Sequence, residues 1–423
     1  MSLLTIVQAA VIAAPPFDAE TATRAYLATL NGAARARSDA YFEGGYWLPL
    51  WDALISILSY WIMLRFRWSA AWSAWARKVV KWRWLQPALY SLPFTLVGAL
   101  LTLPWAIYTD FIREHQYGMS NQNLGQWAID QSKMLGIGLL FGAIMFVVIY
   151  AVIRRSPTRW WLWATLAMGA LITLSILIAP IFIEPLMNKY TPMTDGPVRT
   201  EILRIAHAQK IPTNDVYVVD ASKQTKRISA NVAGLGPTIR IALNDNLLNR
   251  SNLHGIKAVM GHEMGHYKLN HVQKLLFYLT LMSLALFVIL YLAVPKLLTR
   301  YGARWGVREV ADPASAPWLF MLLAVLAVPG HIVFNSVIRH HESEADAFGL
   351  EAAREPDGFA MTAMQLSEYR KIEPSAVEEF LFFDHPSGRT RVKMAMDWKA
   401  KHLAELPADQ RGMIVMTTPA PAK

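Results

Sequence analysis

The chain has 423 residues, of which 54% are hydrophobic and only 17% charged. A soluble chain of this length carries more charge, so the composition indicates a membrane protein. There is no cysteine, which excludes disulfides, thiolate catalysis and thiolate metal sites and leaves His, Asp and Glu as metal ligands. The net charge of +10 fits a protein held among anionic lipid headgroups, and no basic stretch carries a nucleic-acid motif, so no nucleic-acid partner is expected.

Residues 1–45 form an N-terminal segment. Within it Leu3–Ala14 is apolar but too short to span a bilayer. It has the look of a signal core ending in small residues, although no Lys or Arg precedes it, and it is a weak candidate for a seventh span. Four apolar stretches follow within residues 46–187, at Tyr46–Leu64, Pro87–Thr109, Leu135–Ile153 and Trp160–Ile183. Asp52 lies inside the first, where a hydrogen bond between helices is its expected role. A polar block at 188–274 reads as a helix (Val198–Gln209), a strand (Val216–Asp220), a turn (Asn231–Pro237), a strand (Thr238–Leu243) and a further helix. A membrane hairpin follows at 275–338, with spans at Leu275–Val294 and Pro317–Ile338. The last block, 339–423, is mostly helical and ends in a Pro/Ala-rich tail. The fold expected is mainly α: a multi-pass transmembrane bundle of six spans, with a soluble α+β region split by the hairpin.

The chemistry concentrates in Gly261-His-Glu-Met-Gly-His266. On a helix His262 and His266 share one face, and Glu263 beside them can act as a general base, the pattern of a zinc hydrolase. A catalytic zinc needs a third protein ligand and an open position. Leu269 and Val272 stand where a second metal-binding turn would need Gly and His, so the third ligand must come from elsewhere. Downstream lies His340-His-Glu-Ser-Glu-Ala-Asp346, in which Glu342 and Asp346 share a helical face. Glu342 can ligate, and Asp346 can take the N–H of a zinc-bound His. Glu344, His340, His341 and His271 are the rivals; Glu344 lies about 200° round the helix from Glu342, so only one of the two can face the metal. The flanks of the His262 helix (Asn252, His254, Lys257, Lys268, Asn270) make it amphipathic, which argues against a site buried in hydrocarbon.

From about residue 40 to 400 the chain resembles the Ste24-type CAAX prenyl proteases. Gly261–His271 is similar to that family's His-Glu-Leu-Gly-His-x-Lys-Leu-x-His run, and Glu342-Ser-Glu-Ala-Asp-Ala-Phe348 to its Glu-x-x-Ala-Asp-Ala-Phe motif. Phe111–Gly125, Pro185–Pro192 and Asp384-His385-Pro386 with Arg391 resemble further family elements. The resemblance implies a chamber walled by membrane helices, one zinc ion per chain with Glu342 as third ligand, and cleavage of a peptide or protein substrate, lipidated or membrane-associated, near its C-terminus. It implies that His385 donates to the oxyanion and that Asn231 and Arg391 bind substrate, although Ser229-Ala-Asn231 departs from the family's Ser-Asn-Ala order. The substrate backbone is expected to add beside Thr238–Leu243. An HtpX-like quality-control protease is the alternative within the class. A non-catalytic binding chamber is the alternative outside it, and would need no Glu263.

The membrane in question is the cell (inner) membrane, and charge orients the chain in it. Arg65, Arg67, Arg77, Lys78, Lys81 and Arg83 follow the first long span, Arg154, Arg155 and Arg159 the third, and Lys296, Arg300, Arg304 and Arg308 the fifth. The intervening loop Asp110–Lys133 has only Arg113 and Lys133. The positive-inside rule therefore puts the three basic loops in the cytoplasm and the metal site on the extracytoplasmic face, opposite to the family's precedent of a cytosolic soluble domain. Alkaline phosphatase fused after Lys423 is predicted to be active. A fluorescent cytosolic reporter at that position would reverse the orientation.

Overall fold

The computed structural model describes residues 17–234 and 239–412, so Leu3–Ala14 and the Pro/Ala-rich tail lie outside the described residues. Helix α1 (Ala19–Leu27) is capped by Asp18, whose carboxylate accepts from the Thr21 N–H at 2.9 Å. Helix α2 (Gly32–Gly45) runs into α3 (Leu48–Arg65), and α4 (Gln86–Ala106), α5 (Leu124–Arg155) and α6 (Trp160–Ile178) follow. Asn123 and Gln126 form a capping box at the start of α5. The polar block holds β1 (Tyr190–Pro192), α7 (Pro197–Ala208), β2 (Val216–Val219), β3 (Ala230–Ala233), β4 (Arg240–Asn244) and α8 (Leu253–Lys268). Then come α9 (His271–Leu297), α10 (Ala316–Ala353), α11 (Pro356–Leu366) and α12 (Gly388–His402).

Among the described residues, six helical segments are long and apolar enough to cross a bilayer: Gly32–Arg65, Gln86–Gln116, Leu124–Arg155, Trp160–Met187, His271–Trp305 and Pro313–Ala353. Each contains one of the six apolar stretches and extends beyond it, because helix continues past the hydrocarbon-length core into polar flanks. Helix α3 packs on α4 and α10, α4 on α5, α5 on α6, α6 on α9, and α9 on α10, so the six close into a ring.

The ring is sealed at one end and hollow along much of its length. Met63 and Leu64, Tyr90 and Phe94, Phe146 and Tyr150, Trp160, Leu290 and Val294, and Trp318 form one buried cluster with a contribution from every helix. All lie at the end from which the basic loops leave. Away from that plug, stretches 95–112, 128–145, 166–187, 272–286 and 320–334 contain no buried residue. Helices with no buried face over these lengths enclose space, and the open end faces the polar region. Asp52 ties α3 to α4 near this end, accepting from Trp105 Nε1–H at 2.5 Å.

The polar region forms a four-stranded sheet in the order β1-β2-β4-β3, with β2 and β4 parallel and the outer pairs antiparallel. Two expectations are corrected here. Asn231 lies in strand β3, paired with Ala242, and not in a turn. The strand expected at Thr238–Leu243, observed as β4, is flanked on both sides and has no free edge; β3 is the edge strand beside α8. A further point concerns continuity. Only Leu269 and Asn270, the latter at φ 56°, separate α8 from the fifth span, and the sixth span runs unbroken through Glu342 and Asp346. The metal motifs are therefore built on the ends of membrane helices. From the other side, Tyr26 of α1 donates to Asp357 Oδ1 at 2.6 Å while buried Lys399 bonds the other oxygen, docking the segment before the first span onto α11 and α12.

Candidate metal centre

Helix α8 has two working faces. Ile256, Met260 and Met264, four residues apart, pack into the core beneath the sheet with Ile202, Ile241 and Leu243. His262 and His266 lie on the other side, toward α10. The approach of α8 to α10 depends on small residues. A Cβ on Gly261 would lie 2.9 Å from Gly349 O, one on Gly265 3.1 Å from Ala345 Cα, and one on Gly349 2.8 Å from His262 N. The backbones touch, so the carboxylate of Glu342 reaches imidazoles on another helix.

The result is a buried cluster in which His262, His266 and Glu342 bring ligand atoms within 4.8 Å of one another. His262 Nε2 and His266 Nε2 are 3.0 Å apart, and they lie 3.2 and 3.4 Å from the two oxygens of Glu342. Ligands about 2.0–2.2 Å from a tetrahedral ion sit roughly 3.3–3.6 Å apart, so the three groups fit one zinc-sized cation. Glu342 Oε2 is also buried without a hydrogen bond of proper geometry. A buried carboxylate oxygen left this way is costly unless a cation takes it.

Each histidine is oriented from behind. His262 Nδ1–H donates to Asp346 Oδ1 at 2.7 Å, leaving Nε2 free to ligate. Asp346, fully buried, also accepts from Arg391 Nε at 2.9 Å and Nη2 at 2.6 Å. Breaking such a buried pair costs about 3–5 kcal/mol. His266 Nδ1 lies 2.8 Å from His271 Nδ1, and His271 Nε2 lies 3.0 Å from Glu344 Oε2, which also accepts from Lys274 at 2.8 Å. If His266 ligates through Nε2, its Nδ1–H donates to His271, whose Nε2–H then donates to Glu344. His341 stacks on His271 at 4.6 Å, and His340 is mostly exposed.

Electrostatics follow from burial and these partners. Burial disfavours charge on His262, but the bond to Asp346 and the nearby Glu342 carboxylate outweigh it and hold the imidazole up at about 10, so a bound dication must displace that proton. Burial and the charge on His262 push His266 down to about 3. Burial pushes the Glu263 carboxyl up to about 7, with His262 opposing and Glu342 adding. A dication in the cluster would favour the Glu263 carboxylate.

Glu263 lines a cavity of about 200 Å³ together with His262, Glu342, His385, Arg391 and Tyr369. His385 Nε2 is 3.1 Å from Glu342 Oε2, and its Nδ1 is 2.9 Å from Asp384. Burial and the charge of Arg370 keep His385 below the ordinary imidazole value. Asn231 stands on the free edge of β3 with its Oδ1 buried and unbonded among the described residues. Arg391 borders the cavity, with Nε and Nη2 committed to Asp346. Sequence reasoning missed Arg370, Tyr369 and the Arg391–Asp346 pair; the only signal for that pair was the Arg of the His-Pro…Arg element.

A helical ring opening onto a His/His/Glu cluster defines a membrane metallopeptidase. Residues 192–399 match the model of peptidase family M48, and residues 24–189 that of the CAAX prenyl protease N-terminal region with five membrane helices. The described residues hold four candidate spans in that second range. The chain is 30% identical over 325 residues to an uncharacterized metalloprotease, YhfN, of Bacillus subtilis, covering 76% of each chain. It is 24% identical over 318 residues to CAAX prenyl protease 1 of Saccharomyces cerevisiae, covering 71% of this chain and 70% of that one. Its fold matches the crystal structure of S. mikatae Ste24p with a TM-score of 0.69 at 22% identity, covering 79% of this chain and 82% of that one. The chain belongs to peptidase family M48, in its Ste24-type CAAX prenyl protease branch, and is a membrane zinc metalloprotease.

Because a Cβ on Gly349 would meet backbone, Gly349→Ala must part α8 from α10. It is expected to weaken zinc binding by about 10-fold or more, measured by competition with a chelator, with helical content retained. Gly136→Ala, where a Cβ meets nothing within 4 Å, is the control. Unchanged affinity in Gly349→Ala would show that the contact does not set the site.

Proposed function

We propose a zinc metalloendopeptidase in which His262, His266 and Glu342 hold one ion per chain, Glu263 is the general base and His385 the oxyanion donor. The convergence of three ligand groups beside Glu263 in one cavity carries the reading. When bound, zinc polarises the scissile carbonyl and acidifies a water molecule. Glu263, held as the carboxylate when a dication is bound, accepts the proton of the attacking water and passes it to the leaving amine. His385 donates from Nε2 where negative charge develops; with its Nδ1–H held by Asp384, it does so as the imidazolium. Asp346 keeps His262 in its ligating tautomer and Arg391 holds Asp346, so a positioning role is assigned to Arg391 in place of substrate binding. The substrate backbone adds as a strand to the free edge of β3, within reach of Asn231.

The substrate is a peptide or protein that enters from the hollow ring, which favours membrane-associated or lipidated chains. The location is the cell (inner) membrane, with the metal site extracytoplasmic. The gathering of the basic loops at the sealed end of the ring, away from the site, supports that orientation.

Two sets of variants test the assignment. Glu342→Ala is expected to lose most zinc and Glu344→Ala to retain it at saturation, by metal analysis of purified protein. The reverse result would put the wrong face of α10 at the metal. Glu263→Gln should keep zinc and lose turnover, whereas His385→Ala should lower kcat by about 10²–10³ with zinc retained, the usual effect of losing one oxyanion donor. Full activity in zinc-loaded Glu263→Gln would remove the base from the mechanism, and an unchanged kcat in His385→Ala would leave His385 a structural residue.

A further inference from the structure

At the sealed end of the ring, far from the metal, the short helix Trp68–Val79 lies between the first and second spans. One of its faces is tied to the ring. Ser69 Oγ bonds Tyr90 Oη at 2.7 Å and donates to the Ala314 carbonyl at 2.8 Å, and Ser73 Oγ donates to Asp312 Oδ1 at 2.5 Å. Another face presents Trp68, Trp75 and Val79, which are spaced by helical turns and exposed; Trp82 and Trp84 follow, also exposed. Tryptophan on a short amphipathic helix settles at the boundary between acyl chains and headgroups. The helix therefore fixes this end of the ring at headgroup depth.

At that depth a cavity of about 490 Å³ opens among the ends of the spans. Ile153, Trp160, Tyr291 and Pro295, from α5, α6 and α9, give it apolar walls, and Arg77, Arg83 and Arg154 give it charge. Arg77 donates to Ser73 Oγ at 2.7 Å and to Asp312 Oδ2 at 3.1 Å. Arg154 donates to the carbonyls of Arg83 at 2.6 Å and Ala311 at 3.1 Å, neither of which balances its charge. Arg83 is anchored by that backbone bond, yet its guanidinium makes no hydrogen bond or ion pair among the described residues. Glu309 and Asp312 also line the cavity, and the Asp312 carboxylate is already taken by Ser73, Arg77 and the Ala314 N–H. Three guanidiniums against two carboxylates leave one positive charge unmatched. Arginines gathered around an apolar-walled space repel one another unless an anion joins them, and the guanidinium fork fits phosphate oxygens.

We propose that this cavity binds the headgroup of an anionic phospholipid, with its phosphate bridging Arg83 and Arg154 and its acyl chains leaving past Trp160 and Tyr291 into the bilayer. A monoanionic headgroup matches the one unmatched charge. Headgroup depth and the apolar walls favour a lipid over a soluble phosphate compound. The bound lipid joins the ends of α5, α6 and α9 to the loop that carries Arg83, outside the ring. The site is independent of the peptidase chemistry and of which way the chain crosses the membrane.

Full-length protein, delipidated in a neutral detergent, is titrated with phosphatidylglycerol, phosphatidylethanolamine and phosphatidylcholine of equal chain length, and bound lipid is counted by native mass spectrometry at fixed ionic strength. Phosphatidylglycerol is expected to bind about 10-fold or more tightly than either zwitterion, and Arg83→Gln should weaken it about 10-fold, the low end for a hydrogen-bonded charge. The Arg83 side chain bonds nothing within the protein, so the variant should keep its fold, read by circular dichroism. Lys81→Gln makes the same charge change two residues away and outside the cavity, and screening should hold its effect within about two-fold. Phosphatidylglycerol should also raise the melting temperature of the parent protein and not that of Arg83→Gln. Equal losses in Arg83→Gln and Lys81→Gln would show a diffuse surface field and overturn the proposal. So would a zwitterionic lipid that binds as tightly as phosphatidylglycerol. Displacement of the bound lipid by inorganic phosphate would make the ligand a soluble phosphate compound and would equally overturn it.

Discussion

The backbone contact between α8 and α10 is the constraint on which the rest of the site depends. Gly261 and Gly265 on one helix meet Gly349 and Ala345 on the other, so two segments far apart in sequence touch without intervening side chains. Such small-residue faces are how helices pack closely in membranes, where no hydrophobic force drives them together. Here the contact continues from the membrane helices into the polar region. It sets the gap that Glu342 must cross to reach His262 and His266, and any added bulk is paid for in ligand geometry.

The supports behind the ligands are unequal. His262 is held by a fully buried Asp346 that is itself clamped by Arg391, a rigid arrangement remote from solvent. His266 is held by His271, and through it by Glu344, which is about one-third exposed and shared with Lys274. The two carboxylates on opposite sides of α10 thus both contribute, one at the metal and one behind it. The membrane ring extends the same logic, because α9 and α10 carry His271, Glu342 and Asp346 on their ends and belong to a wall plugged at the far side. Substrate space and metal site share a frame.

Much of the site was legible in sequence because it is written in helical spacing. The four-residue interval of His262 and His266, the adjacent Glu263, and the same interval between Glu342 and Asp346 define faces without knowledge of the fold. The six spans were legible as apolar runs, but not their lengths, since helix continues into polar residues where hydropathy falls. The long-range relations were not legible. Whether β3 or β4 has a free edge depends on strand order, which Ser229-Ala-Asn231 does not encode. That Arg391 turns to Asp346 depends on the docking of α12. Glycines within a helix signal a close approach but not its partner. His271, a rival for the metal by sequence, opens α9 and turns its ring to His266 from behind, a relation visible only once α8 and α9 are set at their angle.

The central claim is that two imidazoles and the Glu342 carboxylate hold one zinc ion where α8 meets α10. Anomalous diffraction at the zinc edge from crystals of the zinc-loaded Glu263→Gln protein addresses it most directly. The account predicts a single peak about 2.0–2.2 Å from His262 Nε2, His266 Nε2 and a Glu342 oxygen. A peak centred on His271, His341 and Glu344, or one lacking Glu342, would contradict it.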